Sequence, residues 1–258
     1  MIKISSIILA RDEEHNIARC INSQKGCIDE IIVIVDSRTS DNTVNILEEK
    51  GVIYEVLEWQ GYARTKEYAL SKASNDWILW IDADEALTPE LNREILEFKN
   101  GEPAFNTYSV PRKANFLGRW IMHSGWYPGR IERLFNKRHA HFSSNKDVHE
   151  HLIFEGETGR LKHDLEHYTD PSIKHYFDKF NVYTSLAAEE LLKKGKTASL
   201  KDMLLRPPFL FLKMYIMKLG FLDGLNGFIL AVFSSLYVFT KYTKLWELGR
   251  SFSDKKSH

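Results

Sequence analysis

The sequence predicts an α/β fold with a mostly parallel, doubly wound sheet, followed by a helical extension at the C-terminus. Short apolar runs rich in β-branched residues recur along the first 100 positions, and segments with helical spacing of apolar residues separate them. Strands that alternate with helices build parallel sheets through right-handed crossovers. The extension is predicted from a shift in composition, because positions 203–240 are dense in Phe, Leu, Met, Ile and Tyr.

The first two predicted strands both end on polar residues. Positions 3–10 form an apolar run that ends on Arg-Asp-Glu-Glu, and apolar residues from Ile17 onward fall at helical spacing. Positions 30–36 (EIIVIVD) form a second buried run, and the hydroxyl-rich sequence SRTSDNT separates it from a helix predicted at 44–50. The loop after each strand therefore carries side chains that can bind a polar ligand.

A third strand is predicted at 52–58 and a third helix at 62–73, ahead of a central fourth strand. Positions 77–81 are uninterrupted apolar residues, which is typical of a strand covered on both faces. This run stops on the acidic sequence Asp-Ala-Asp-Glu at 82–85. Because ligands of open α/β sheets bind at the carboxyl ends of the strands, we expect these acids to lie beside the first two polar loops.

Asp82 and Asp84 are the central candidates for a binding site. Two aspartates separated by one small residue can share a hard cation, and Mg²⁺ bound in this way keeps waters and substrate phosphates among its ligands. A structural alternative is that the acids cap the turn before the helix that Thr88 and Pro89 begin. The spacing alone does not choose between these two interpretations.

The pattern changes after a helix predicted at 89–100. Further strands are predicted at 105–112 and 129–135, whereas 116–127 is expected to be a loop rich in Trp, Gly and His. A long amphipathic helix is predicted at 172–194, where the aromatic residues are expected to pack against other helices. The second half of the chain therefore lacks the regular alternation of strand and helix.

Histidine and cysteine offer a metal-site hypothesis that the sequence does not favour. Seven of the ten histidines lie between His139 and His175. Leu and His alternate over 161–167, which is typical of one face of a strand, and no cysteine accompanies them. Cys20 and Cys27 are too few for a disulfide framework, and we interpret them as reduced structural thiols.

Several protein classes are disfavoured by charge and by local sequence. The 35 basic and 35 acidic side chains give a net charge of zero, so no general electrostatic attraction to nucleic acid is expected. A dinucleotide-binding oxidoreductase is disfavoured because the first strand-to-helix turn, ARDEEHN, contains no glycine. Met1 lies almost directly before the first strand, so no signal peptide is predicted and the expected location is cytoplasmic.

The C-terminal segment is predicted to lie on a membrane surface. Its apolar stretches are interrupted by charged residues and by Pro207-Pro208, so neither half reaches the roughly 18 to 20 uninterrupted apolar residues that a spanning helix needs. Basic residues flank the segment on both sides, which favours interfacial helices against an anionic leaflet. A helical subdomain or a dimer surface is the alternative. The predicted domains are 1–170, divided into 1–100 and 101–170, and the extension 171–258.

Four segments together resemble a known enzyme family. They are IILARDEEHNIARCINS, EIIVIVDSRTSDNT, GYARTKEYAL and DWILWIDADE, and their order and spacing resemble the family 2 inverting glycosyltransferases with the GT-A type nucleotide-sugar-binding fold. Asp12 stands where asparagine is commoner in that family. Further segments, including WYPGRIERLF, KDVHEHL and GFLDGLNGF, look like the branch that adds β-linked glucose to the inner core of bacterial lipopolysaccharide.

The resemblance implies a site for a UDP-sugar and a divalent metal, Mg²⁺ or Mn²⁺. Asp84 would bind the metal directly, and Asp82 would contact the ribose or reach the metal through water. Asp36 and Ser37 would hold the uracil and ribose, with Lys66, or Arg64 instead, facing the phosphates. The complete set implied for the donor is Ala10, Asp12, Glu14, Asp36, Ser37, Lys66, Asp82 and Asp84.

On the acceptor side, an inverting transfer needs a base that takes a proton from the attacking hydroxyl. The resemblance implies Glu150 as this base, with Asp147 as the second candidate and His149 beside it. Trp126, Tyr127 and Arg130 are hypothesised to form a sugar-stacking and anion-binding wall for a phosphorylated core acceptor. For Glu150, the structural alternative is an ion pair with Arg130 or Arg133.

The resulting hypothesis is an inverting, metal-dependent transfer of a hexose, with glucose expected, from a UDP-sugar to a lipid-linked envelope acceptor. The expected acceptor is the lipopolysaccharide inner core, and the expected location is peripheral, on the cytoplasmic face of the inner membrane. One alternative is transfer of another sugar to a different envelope glycan, because a few pocket contacts decide such specificity. Another is a catalytically silent nucleotide-binding protein that docks on membranes.

Overall fold

The computed structural model describes the backbone of residues 1–142 and 152–256, and the side chains of these ranges up to position 250. The chain divides into two compact units. The first combines Met1–Lys113 with Gly129–Tyr168, and the second combines Ala114–Pro128 with the chain from Thr169 onward. The stretch 101–170, which the sequence assigned to one domain, therefore contributes to both units.

The first hundred residues alternate strands and helices as the sequence predicts. The elements are β1 Ile4–Ala10, α1 Ile17–Ser23, β2 Glu30–Asp36, α2 Thr43–Lys50, β3 Ile53–Leu57, α3 Tyr62–Lys72, β4 Trp77–Trp80, β5 Glu85–Leu87 and α4 Pro89–Asn100. The bounds of α4 agree with the prediction because Thr88 caps it, accepting a hydrogen bond from the Leu91 amide, and Pro89 opens it. The short strand β5 was not predicted.

The remaining elements are more irregular. They are β6 Thr107–Phe116, β7 Arg119–Ile121, β8 Gly129–Asn136, β9 Ala140–Phe142, β10 Leu152–Phe154, β11 Thr158–Arg160, β12 Leu165–Asp170, α5 Ile173–Lys193, α6 Leu200–Leu212, a π-helical turn Lys213–Met217, a 3₁₀ turn Gly220–Asp223 and α7 Gly224–Lys256. The expectation of a loop throughout 116–127 is wrong, because β6 and β7 pair across Leu117 and Gly118. Both of these residues have positive φ, as a two-residue hairpin turn requires, but Leu-Gly lacks the usual Asn-Gly signature.

The described strands form a mixed sheet whose first half is parallel. Its order is β3-β2-β1-β4-β8-β6-β12-β5, with β7 and β11 pairing to β6, while β9 and β10 form a separate pair. The neighbours β3, β2, β1 and β4 are parallel, as predicted, whereas β8 runs antiparallel to both β4 and β6. The parallel half therefore ends its strands at a single edge.

Helices cover both faces of the parallel half, which confirms the doubly wound prediction. Successive strand side chains point to opposite faces, so Ile8 of β1 packs in the core that contains α1, α2 and α4. Ile7 packs instead in the core that contains Ala69 of α3. Cys20 and Cys27 are free thiols inside the first core, as the sequence predicts.

The second unit contains α5, α6 and α7. Among the described residues, the stretch Gly220–Arg250 is long and apolar enough to cross a membrane by length and composition, with a mean hydropathy of 1.5. This stretch includes charged residues, whereas the expectation from the sequence concerned uninterrupted apolar residues. The helix α7 continues through Lys241 and Lys244, which the sequence analysis took as basic residues flanking the apolar segment.

Candidate active site at the edge of the parallel strands

The predicted polar loops do meet at one edge of the sheet. The central strand β1 lies between β2 and β4 and is parallel to both. Ala10 pairs in register with Val35, so the end of β1 lies beside Asp36 at the end of β2. On its other side, Ile7 of β1 pairs with Trp80, the last residue of β4 before the acidic turn. Parallel pairing thus brings the three loops to one edge.

Asp82 belongs to a buried charge cluster that the sequence did not predict. The guanidinium of Arg133 on β8 donates to Asp82 and, over 2.7 Å, to Glu85. Arg112 donates to the same Glu85 carboxylate over 3.1 Å. Glu85 is completely buried, but two-fifths of the Asp82 side chain stays exposed, so that carboxylate can still reach a ligand.

The charges of this cluster shift each other's pKa values. Burial would raise the pKa of Asp82, but Arg133 and Lys66 outweigh it and hold that pKa below its ordinary value. Burial does raise the pKa of Glu85, since Arg133 and Arg112 offset only part of the effect. Burial would lower the pKa of Arg133, and the two carboxylates reverse that shift. Asp82 and Arg133 are therefore both charged at neutral pH.

Asp84 points to a different partner. Its carboxylate lies 3.3 Å from Nε2 of His167 on β12, and about one-fifth of each side chain is exposed. Strand pairing produces this contact, because β12 runs antiparallel to β5 with His167 opposite Glu85. The amide of Tyr168 also donates to the Asp84 carbonyl over 2.9 Å, which fixes the turn.

Two cations contact the ring of Trp80 immediately before the acidic turn. The ammonium of Lys66 lies 3.7 Å from the ring centroid, and the guanidinium carbon of Arg133 lies 4.4 Å from it. Both interactions favour a cation held close to the aromatic face. Lys66 is 5% exposed, so the residue predicted to face the phosphates is a buried member of the site whose field lowers the pKa of Asp82.

Asp36 is buried and bonded to Arg38. Its carboxylate accepts from the Arg38 amide, from Nε and, over 2.6 Å, from Nη2. These bonds hold the pKa of Asp36 below its ordinary value although burial opposes them. Half of the Arg38 side chain is exposed, so it can move when a ligand approaches Asp36. The amide of Ser37 donates to the Leu57 carbonyl, which ties this loop to β3.

The first loop is fastened to the second by reciprocal hydrogen bonds. Asp12, which has a positive φ of 53°, accepts from the Ser40 amide over 2.8 Å. Glu14 accepts from the Asn42 amide over 3.1 Å, and its own amide donates to Asp41. Asp12 and Glu14, which were predicted to line the donor pocket, therefore hold these two loops together.

The acceptor-side predictions have different outcomes. Glu150, Asp147 and His149 lie outside the described residues. Arg130 donates to the carbonyls of Ser109 and Leu161, so its guanidinium has a structural role within the first unit.

Trp126 and Tyr127 belong to the second unit. The Trp126 ring packs against Phe116 at 6.2 Å between centroids, within the apolar core of that unit. A cis peptide bond joins Tyr127 to Pro128. Nothing in these contacts assigns either aromatic ring to a sugar.

Arg133 and His167 are the site residues that the sequence analysis missed. Arg133 was considered only as an ion-pair partner for Glu150. His167 was considered with His163 as a possible metal-binding pair, but the interpretation as one face of a strand was preferred. The strand sequence RIERLF contains three charged residues, so the only local signal for Arg133 was its position directly before the apolar pair Leu134-Phe135, where a charge is rarely buried unless it is paired. The strand alternation at His167 gave its face but not its partner.

The residues at this edge fit a divalent metal only in part. No group of three or more His, Cys, Asp or Glu side chains in the described ranges is placed to hold an ion by itself. Asp84 and His167 offer one carboxylate and one imidazole, both partly exposed. Oxygens of a bound diphosphate and water would have to complete the coordination, as is usual for Mg²⁺ in phosphate sites.

Comparison with known proteins agrees with this fold. The model of the family described as glycosyl transferase family 2 matches residues 5–158. An uncharacterized glycosyltransferase of Rickettsia felis is 34% identical over 273 aligned residues, covering 100% of this chain and 93% of its own. The chain therefore belongs to glycosyl transferase family 2, and it is a glycosyltransferase with a GT-A type fold.

More distant relatives include a lipopolysaccharide core biosynthesis glycosyltransferase, LpsC of Rhizobium meliloti. It is 28% identical over 254 residues, covering 95% of this chain and 93% of LpsC. Among solved structures, residues 1–349 of TarS from S. aureus in complex with UDP-GlcNAc align at a TM-score of 0.46 and 16% identity, covering 97% of this chain and 92% of that one.

Proposed function

We propose that the protein is an inverting, metal-dependent glycosyltransferase that moves a hexose, glucose in the first instance, from a UDP-sugar to a lipid-linked envelope acceptor. The proposed acceptor is the lipopolysaccharide inner core, in keeping with the similarity to LpsC. The proposed location is the cytoplasmic face of the inner membrane. The observation that carries the proposal is that the two aspartates have different partners. Asp82 forms an ion pair with Arg133, and Asp84 lies beside His167.

This division gives each aspartate its own role. Asp84 and His167 would hold the metal, which when bound acts as a Lewis acid on the departing diphosphate. Asp82 is fixed by Arg133 and keeps an exposed oxygen surface for a ribose hydroxyl or a metal-bound water. The cations Lys66 and Arg133 add positive potential where the diphosphate gains negative charge.

The uracil end of the donor would bind at Asp36 and Ser37. A carboxylate can accept the uracil N–H, and Asp36 stays ionised because Arg38 lowers its pKa. The exposed Arg38 would have to give up part of its bidentate contact for that bond to form. Asp12 and Glu14 support this pocket by holding the first loop against the second.

Calorimetry with UDP tests the proposed function directly. We expect UDP to bind, and Mn²⁺ to raise its affinity by about tenfold or more, which corresponds to at least 1.4 kcal/mol. A panel of UDP-sugars assayed for hydrolysis should then show a preference for UDP-glucose. Undetectable UDP binding in folded protein would refute the enzyme proposal, whereas preference for an N-acetylhexosamine donor would refute only the choice of sugar.

The proposed base is tested by Glu150→Gln, with Asp147→Asn as the matched variant. General-base catalysis typically contributes about 10²- to 10⁴-fold, so we expect turnover to fall by that factor while UDP affinity stays unchanged. Single-turnover assays on acceptor-containing membranes measure the effect. A larger loss in Asp147→Asn than in Glu150→Gln would move the base to Asp147.

A further inference from the structure

The connection between α6 and α7 exposes an unusual amount of apolar side chain. We call residues 212–225 the hairpin apex. Five large apolar residues within it are at least half exposed: Leu212, Ile216, Met217, Leu222 and Leu225. Contiguous apolar surface of this kind on a folded protein marks a site of interaction with another surface.

The hairpin apex is rigidly held, so the exposure is not the result of a frayed turn. Asp223 is 2% exposed and accepts hydrogen bonds from the amides of Met122 and His123 over 3.1 and 3.0 Å. The backbone crosses itself closely, because a Cβ on Gly227 would lie 2.0 Å from the Gly220 carbonyl oxygen. Asp223 and Gly220 thus face inward, whereas most of the large apolar residues of the hairpin apex are left outside.

Charge identifies the kind of surface that the hairpin apex fits. Asp223 is the sole acidic residue between Met203 and Trp246, and it is buried and bonded. The same stretch contains five basic residues: Arg206, Lys213, Lys218, Lys241 and Lys244. Lys213 and Lys218 are exposed within the hairpin apex itself. Apolar side chains interspersed with unneutralised lysines match the acyl boundary and headgroups of an anionic bilayer.

One face of α7 beyond the hairpin apex contacts α5. The Phe233 ring lies 5.0 Å from those of both Tyr176 and Phe177. Further along, Lys244 donates to the carbonyl and side chain of Asn181 and to the hydroxyls of Thr184 and Ser185.

The outer surface of α5 carries exposed charges such as Lys174 and Asp178. A membrane-spanning α7 would draw these charges into the hydrocarbon, which is costly. A shallow insertion is therefore favoured over a spanning α7. Apolar side chains are also exposed elsewhere on α6 and α7, such as Phe209 and Leu236, but those of the hairpin apex lie beside the exposed Lys213 and Lys218.

We propose that the hairpin apex inserts into the headgroup and outer acyl region of an anionic membrane, with Lys213 and Lys218 at the phosphates. The proposal deepens the proposed function, on which it rests for its lipid-linked acceptor. In this proposal the protein contacts the membrane at a single insertion point, instead of through helices that lie flat on its surface. The insertion itself requires no donor, metal or transfer step.

Vesicle flotation of the full chain tests the insertion. The vesicles contain phosphatidylglycerol mixed with phosphatidylcholine, and phosphatidylcholine alone is the reference. The double variant Leu222→Ser, Leu225→Ser should lower the membrane partition constant, obtained from the bound fraction, about tenfold or more. Val182→Ser with Tyr183→Ser is the matched control, because these α5 side chains are equally exposed but lie outside the hairpin apex. The control should bind like the unmodified protein.

Replacing lysines tests the charge component. Lys213→Gln and Lys218→Gln should each weaken binding about fivefold at low salt, and high salt should reduce the difference. Lys174→Gln, on exposed α5, should have no effect. Thermal melting and UDP calorimetry of every variant establish that fold and nucleotide site are intact, so loss of vesicle binding is separable from failure of the proposed enzyme activity.

Three results would overturn the proposal. One is equal vesicle binding by the Leu222, Leu225 double variant and the unmodified protein. Another is retention in the membrane through high salt and alkaline carbonate, which would show that α7 spans the bilayer. The third is a dimer in solution that the double variant dissociates, with no vesicle binding by either form, which would assign the hairpin apex to a second copy of the chain.

Discussion

Asp84→Asn is expected to remove the Mn²⁺-dependent part of UDP binding and to lower sugar transfer about 10³-fold or more. The neutral amide keeps the size of the side chain but loses the charge that attracts the cation. His167 lies beside Asp84, but an imidazole cannot supply the negative charge that the substitution removes. Calorimetry of UDP with and without Mn²⁺ measures the first effect, and transfer assays measure the second.

Asp76→Asn is the control for this substitution. Asp76 lies just before the opposite end of β4, where it forms an ion pair with Arg138 over 2.8 Å. We expect full metal enhancement of UDP binding in that variant. His167→Ala is the companion, and it should weaken the metal effect without changing UDP binding in the absence of metal. Full enhancement in Asp84→Asn would show that the metal binds elsewhere.

The second large effect is expected from Arg133→Met, which should destabilise the protein by about 3–5 kcal/mol. The substitution keeps much of the side-chain volume but removes the cation between Asp82 and Glu85. Glu85 is completely buried and would retain only Arg112 as a cationic partner. Urea unfolding followed by circular dichroism measures the loss.

This loss of stability should depend on pH. The raised pKa of Glu85 means that its folded form binds a proton more readily than the unfolded chain does. Such a group favours folding at low pH, and that advantage disappears as pH rises through its folded pKa. Removing Arg133 raises this pKa further and also removes the cation that lowers the pKa of Asp82. The loss in the free energy of unfolding caused by Arg133→Met should therefore be largest at neutral pH. It should shrink as the pH falls toward 4–5, near the ordinary carboxyl pKa values of about 4.

Arg138→Met provides the matched control. Its ion pair with Asp76 is exposed, with 70% and 41% of the two side chains accessible. Exposed pairs contribute about 0–1 kcal/mol, so this variant should unfold almost like the unmodified protein at every pH. An equally small loss for Arg133→Met would contradict a cooperative charge cluster beneath Asp82. It would also remove the reason for treating Asp82 as fixed in place.

The parallel half of the sheet and the position of its acidic edge could be predicted because they depend on local patterns. Apolar runs of strand length, helical spacing between them and a cap such as Thr88 each act within a few residues of the chain. Once β1, β2 and β4 are parallel neighbours, Asp36 and Asp82 follow at one edge. That much required no knowledge of tertiary contacts.

The irregular second half of the chain could not be predicted in the same way. The β6–β7 hairpin turns on Leu117 and Gly118, and leucine with positive φ has no local sequence signature. Lys244 was expected to flank the apolar segment, yet α7 continues through it. In the structure that lysine donates to the Asn181 carbonyl and to side chains of α5, contacts between distant parts of the chain that no local pattern indicates.

The sequence by itself therefore determined which carboxylates lie at the carboxyl edge of the parallel strands, but not what each of them contacts. Antiparallel pairing of β8 with β4 places Arg133 against Asp82, and the register of β12 on β5 places His167 against Asp84. These partners are 51 and more residues away along the chain. Local propensity acts within a few residues, whereas the electrostatic partner of a buried charge depends on which strands become neighbours, so only the tertiary structure decided it.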